Sequence, residues 1–288
     1  MSEEVRSARA ILLSAIDGST PFWASEIKLH GPIKVLEKIR GAGYDPIKYA
    51  QVREKISRAQ AAQILERVAN TGSHFLIPED EQWPNSLDDL ANPPIALIVK
   101  GSLACLKIPS LAIVGTRNPT NYGVRIAGDF AAGFVDRDWG IISGGAYGID
   151  AAAHRGAIVA EGVTVAVLAA GIDINYPAGH GLLFAEILES GALITEVLPG
   201  TPAIPARFLT RNRLIAALSQ ATLVVEAAFR SGSLRTARDA AELFRPVMAI
   251  PGPITSPTSE GCHRLIGERA AEIVTSISDA VEFITSYK

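Results

Sequence analysis

Lysine nearly vanishes from the second half of this 288-residue chain: after Lys107 the next is Lys288, and arginine carries the positive charge between them. Cysteine is as sparse. Cys105 and Cys262 stand far apart with no CxxC pair, which excludes a disulfide framework and a zinc site of that type. Long apolar runs are missing too. VTVAVLAAGI at Val163–Ile172 spans ten residues, where a bilayer crossing takes about 20. No basic segment followed by an apolar core opens the chain, so no secretory signal is read. These absences predict a cytoplasmic protein with no membrane association. An excess of positive charge is also lacking, with 27 Lys and Arg against 30 Asp and Glu. Non-specific coating of nucleic acid calls for a large positive field, so any nucleic-acid site here must be a local patch. GxSxG, HExxH and paired-carboxylate signatures are absent, and neither cofactor nor metal is expected.

What is present is a chain 48% hydrophobic and 20% charged, ample for a packed core. Residues 1–70 carry helical spacing in ARAILLSAI, PIKVLEKI and RAQAAQILERVA, with a break at Gly41–Gly43. Residues 71–110 form a connector rich in Pro and Asp, with a strand expected at Ile95–Val99. From Leu111 to the end the rhythm becomes strand, glycine-rich turn, helix. LAIVG, GIIS, VTVAVL, ALITE, TLVVE and PVMAI read as strands. Near-continuous apolar strands alternating with helices mean a doubly wound, mostly parallel α/β sheet. Such sheets bind ligands at the carboxyl ends of their strands.

The segments at those ends are GTRNPTNYG, SGGAYGID, AAGIDINYPAGH and EAAFRSGSLRTA. In SGGAYGID, Ser143, Gly144, Gly145 and Gly148 precede Asp150 at a helix start, and such turns offer backbone amides to an anion. The acid that a dinucleotide fingerprint places after the next strand is missing, which argues against NAD. A ligand-free turn is the competing reading. RSGSL has the same physics, with Ser231 or Ser233 capping a helix and Gly232 allowing close approach. ARFLTRNRLIAALS puts Arg207, Arg211, Asn212 and Arg213 in the first half of one helix. Asn212 shares a stripe with Phe208 and Ile215, and the cations oppose the helix dipole. Either a functional site or a salt-bridge network with Glu196 or Glu226 accounts for this. Arg117, just past the first strand of the sheet, is placed to reach into the same cleft. Asp150 and His154, four apart, read as a helix cap plus a structural hydrogen bond, or as an acid–His dyad.

IVGTRNPTNYG, SGGAYGIDAAAH, AAGIDINYP, RFLTRNRLIAALS, VVEAAFRSGSLRTA and AIPGPI with GCHRLI occur in that order. The chain thereby resembles the DNA-processing protein A (Smf) family. The resemblance implies an extended Rossmann-like domain preceded by a small helical SAM-like domain. It also implies binding of single-stranded DNA, presentation of that strand to a RecA-type recombinase in natural transformation, a homodimer, and no catalysed reaction. The family's DNA site maps onto Arg117, the Ser143–Asp150 turn, Phe208 and nearby cations. Tyr147 stands where the family commonly has Arg, and His180 and His263 where it commonly has Asn. Pro205 occupies a position where some members have a lysine. The rival readings are a nucleoside-monophosphate phosphoribohydrolase, with Asp239 as its acid, and a pure protein-interaction scaffold.

Overall fold

A computed structural model describes residues 3–41 and 43–287. Ala42 of the predicted break and the outermost chain ends lie outside them. Five helices come first: α1 (Glu3–Ala15), α2 (Pro21–His30), α3 (Pro32–Arg40), α4 (Ala50–Arg58) and α5 (Ala61–Ala69). Pro21 and Pro32 each sit in a first helical turn, where the missing N–H has no helical partner to lose. Leu12, Trp23, Val35, Ile39 and Ile56 close the core of this bundle, and Ile95 from the connector plugs into it.

β1 (Ser73–Leu76) and β2 (Leu97–Gly101) follow, then β3 (Ser110–Val114), α6 (Asn121–Val135), β4 (Gly140–Ser143), α7 (Ile149–Val159) and β5 (Thr164–Val167). The chain continues through α8 (Gly181–Ser190), β6 (Ala192–Thr195), α9 (Pro205–Leu218), β7 (Ala221–Val224) and α10 (Ser233–Glu242). It finishes with β8 (Val247–Ala249), α11 (Glu260–Gly267), β9 (Glu272–Ile273) and α12 (Ile277–Ser286).

The strands form one nine-stranded sheet in the order β1-β2-β6-β5-β4-β3-β7-β8-β9. β3 through β9 pair in parallel, while β2 runs antiparallel to both β1 and β6. The fold is thus the expected doubly wound α/β architecture, extended by an antiparallel edge. The strand expected at Ile95–Val99 is displaced to Leu97–Gly101, since Ile95 is used by the helical core instead. Strands β3 to β8 are buried along their whole length, which is why they read as continuous apolar runs. Leu214, Ile215, Ala216 and Leu234 cover one face. Phe130, Phe134, Ala153 and Ala157 cover the other. Successive strands step from β3 out to β6 and then return to β7 on β3's other side. The order reverses there, and the crevice at this switch point holds the site.

Candidate nucleic-acid interface

β3 delivers the loop that carries Arg117. Buried Glu226, just past β7, fastens that loop. Its carboxylate accepts from Thr120 N at 2.9 Å, Thr120 Oγ1 at 2.7 Å and Thr258 Oγ1 at 3.1 Å. Thr116 N donates to the Glu226 carbonyl, and the Thr116 carbonyl accepts from Ile149 N at the start of α7. Gly148, with φ +86°, is required there, because a Cβ would stand 2.8 Å from Arg117 Cα. The backbone of Arg117 is therefore pinned from two sides while its side chain is exposed.

α9 enters the crevice from the opposite wall. Phe208 presents its ring to Arg117, whose Cζ lies 5.0 Å from the ring centroid, and Arg211 Cζ lies 5.9 Å away. Tyr176, from the loop after β5, tilts onto the same ring at 5.3 Å between centroids. The cavity beside Arg117, Phe208 and Arg211 has a volume of about 210 Å³, and Ala146, Asp150, Asn212, Ser231, Gly232 and Ser233 also line it.

The three cations and one amide of α9 go to different places. Arg211 is buried and donates through Nη1 to the Val167 carbonyl at the end of β5. Burial pulls its pKa down to about 10, against the attraction of the Asp150 carboxylate, so it remains a cation at neutral pH. Asn212 donates to the Gly232 carbonyl at 3.1 Å and so ties α9 to the RSGSL loop. Arg207 turns outward and donates to the Pro202 carbonyl. Arg213 points away from the crevice, donating to the Asn92 carbonyl at 2.9 Å and pairing with Glu196. The salt-bridge reading is thus right for Arg213 with Glu196, and Arg213 is not a cleft residue.

The SGGAYGID turn differs from an open phosphate cradle. Asp150 Oδ2 accepts from Gly144 N at 3.1 Å and Ala146 N at 3.3 Å, so an internal carboxylate already takes two of its amides. Burial pushes the Asp150 carboxyl up, with Arg211 opposing. Ser143 is fully buried and donates to the Ile113 carbonyl at 2.6 Å, a structural bond. In the RSGSL loop neither serine gives α10 a side-chain cap. Gly232 is the cap residue, and Ser231 and Ser233 hydrogen-bond each other at 2.7 Å.

Asp150 and His154 form no dyad. His154 Nδ1 lies 2.7 Å from Thr164 Oγ1, whose own proton goes to the Ile141 carbonyl at 2.9 Å. Nδ1 must therefore be the donor, which leaves Nε2 unprotonated and without a partner. Asp239 accepts from Arg235 at 2.6 Å and does not line the cavity, which removes the acid that the phosphoribohydrolase reading needs.

Residues 74–285 match the family described as DNA recombination-mediator protein A. The chain belongs to this family. The DNA processing protein DprA of Streptococcus pneumoniae is 39% identical over 202 residues, covering 70% of this chain and 71% of that protein. Protein Smf of Escherichia coli is 43% identical over 212 residues, covering 73% of this chain and 56% of that protein. Among solved structures, that of the S. pneumoniae protein superposes with a TM-score of 0.84 at 29% identity over 98% of both chains. That of DNA processing protein A from Helicobacter pylori, described for its unique single-stranded DNA binding mode, gives 0.68 at 28% identity over 74% of this chain and 96% of that one. These likenesses carry a DNA-processing role at the level of the family. Among the described residues no helix is long and apolar enough to cross a membrane.

The family's motifs left one aromatic unread: Tyr176, which is 45% exposed on the crevice rim. Tyr147 is 49% exposed with its ring edge-on to His180 at 4.5 Å. His180 Nδ1 bonds the Gly145 carbonyl at 2.9 Å and His263 Nε2 the Gly252 carbonyl at 2.9 Å. Each carbonyl can only accept, so both histidines act as donors. The aromatic signal at Tyr176 was available in NYP, but its pairing with Phe208 depends on how the loop after β5 folds back.

Proposed function

We propose that this crevice binds single-stranded DNA without sequence preference, and that the protein presents the bound strand to a RecA-type recombinase as part of DNA processing. Binding of this kind combines cations that track phosphates with aromatic faces that stack bases. The observation that carries the reading is the Phe208 ring held between exposed Arg117 on one side and Tyr176 on another, at the switch point of the sheet. Arg117 supplies the free guanidinium for phosphate. Buried Arg211 supplies a fixed positive potential behind the ring. Phe208 and Tyr176 supply stacking surface, worth about 1–3 kcal/mol per base. The Ser231–Ser233 hydroxyl pair faces the same cavity and offers neutral donors. The reading assigns binding rather than catalysis, a strand shared between two copies of the chain, and a cytoplasmic setting where incoming DNA meets recombinase. Titration of fluorescent poly-dT against the protein at two salt concentrations tests it. Micromolar or tighter binding that weakens with salt and prefers single strands over duplex is expected. Equal affinity for duplex, or no binding at low salt, contradicts it.

A further inference from the structure

The chain's charge is unevenly spread. Between residues 28 and 58 there are eight Lys and Arg against three Asp and Glu, a net of +5 in a protein whose total is −3. Five of the eight lysines of the whole chain fall in this stretch. It comprises the end of α2, all of α3 and all of α4, on the small helical bundle.

The cations gather around aromatic rings. Phe22 and Tyr49 stack with centroids 5.4 Å apart and planes 11° from parallel. Tyr44 meets Phe22 edge-on at 5.9 Å, and Trp23 lies beneath as the buried floor. Lys48 Nζ sits over both stacked rings, 5.9 Å from Phe22 and 5.2 Å from Tyr49. Lys38 Nζ sits 5.6 Å over Tyr44. Among the described residues Glu26 takes Lys38 and Glu54 takes Arg58, whereas Lys34, Lys48 and Lys55 have no carboxylate partner. All three are exposed, as is Phe22.

A second cavity links this patch to the crevice. It has a volume of about 240 Å³ and lies between the helical bundle and α9, with Lys55 on one wall and Arg207 on the other. Arg207 directly precedes Phe208 in α9. Of the acids in this cavity, Glu196 is paired with Arg213, while Asp17 accepts only neutral hydrogen bonds from Ser19 and keeps its charge. Lys55 and Arg207 together outweigh that one carboxylate, so the opening stays net positive.

We propose that the helical bundle is a second single-stranded-DNA surface: a strand leaving Phe208 passes Arg207 and Lys55 and continues over the lysine and aromatic patch of α2–α4. This rests on the crevice being the primary strand site. Exposed lysines supply sequence-independent phosphate contacts, and partly exposed Phe22 supplies aromatic surface for a base. The two-part site also reconciles an acidic chain with a strand track longer than the crevice.

The test uses the full chain and two dT oligomers, one of about six nucleotides and one of about twenty, within and beyond the span of a single compact site. Each is titrated over a range of salt with wild type, Lys34→Ala/Lys48→Ala/Lys55→Ala, and Arg117→Ala. The triple variant should bind the short oligomer as wild type does. It should bind the long one several-fold more weakly, with the slope of log K on log salt shallower by about 2, since each single-strand phosphate contact contributes about 0.7. An unchanged slope and affinity for the long oligomer overturns the proposal. Arg117→Ala reads the crevice separately by weakening both oligomers. If it weakens neither, the crevice reading fails, and the triple variant's slope still decides whether the bundle touches phosphate.

Discussion

Arg211 lies in the space that a side chain at position 144 would need: a Cβ on Gly144 would stand 2.7 Å from Arg211 Cζ. The glycine turn and the RNR helix are thus two halves of one contact. The first glycine of SGGAYGID is small so that a guanidinium from α9 can pass over it to the Val167 carbonyl. That gives the two crevice arginines different jobs. Arg211→Ala removes a charged hydrogen bond from a buried carbonyl and takes a cation from near Asp150, at a cost of about 1.5–3 kcal/mol of stability. Arg117→Ala removes an exposed side chain, and its unfolding midpoint should match wild type while poly-dT affinity falls. Urea denaturation and a binding titration on the same preparations check both.

Arg213→Ala should act on stability alone. Its partner Glu196 is partly buried, and desolvation already pushes that carboxyl up against the pull of Arg213. Removing one partner of a fully buried pair costs about 3–5 kcal/mol, and this partly buried pair should cost less. The folded fraction should bind dT with wild-type affinity. A binding defect in fully folded protein would place Arg213 in the DNA site after all.

Stability should fall as pH is lowered through the histidine range. Burial, with His180 and Arg211 nearby, lowers the His154 pKa to about 3, while the unfolded imidazole titrates near 6.5. Between those values the unfolded chain takes up a proton that the fold refuses, so stability is present above about 6.5 and is lost as pH drops toward 3. The slope approaches 1.4 kcal/mol per pH unit. Asp150 and Glu196, both raised, work in the opposite sense, contributing stability that is lost as pH rises through their folded values. Comparing wild type with His154→Gln at pH 7 and pH 5 by urea denaturation isolates the histidine. The variant should lose less stability between the two, and equal losses contradict the assignment.

Tyr176 should behave as a base platform. Tyr176→Ala is expected to weaken dT binding by about 1–3 kcal/mol, the value of one stacked base, whereas Tyr176→Phe keeps the ring and should stay near wild type. An equal loss in both variants would point to the hydroxyl instead.

The sheet was legible because its strands are buried on both faces and so read as apolar runs between glycine turns. α9 runs from Pro205 to Leu218, as its opening proline and apolar stripe suggest. β1 and β9 were not legible. One is four residues inside a Pro-rich connector, and the other is an exposed Glu-Ile pair with no apolar pattern. Within the site, Arg117, Phe208 and Asn212 meet as the motifs suggest. Arg213 could have been set aside by arithmetic alone: at about 100° per residue it lies roughly 200° from Arg211, on the far side of the helix. The tenancy of the glycine turn by Asp150 was not readable, because spacing alone cannot tell an amide aimed at a ligand from one aimed at the protein's own carboxylate.

The most direct test of the crevice is a double-mutant cycle on Arg117 and Phe208, read as poly-dT affinity with far-ultraviolet circular dichroism as the folding control. Both side chains are assigned to one strand segment, so each single alanine variant should weaken binding about tenfold or more. The double variant should lose less than the two losses combined, by at least about 0.5 kcal/mol. Wild-type affinity in the folded double variant would contradict the account.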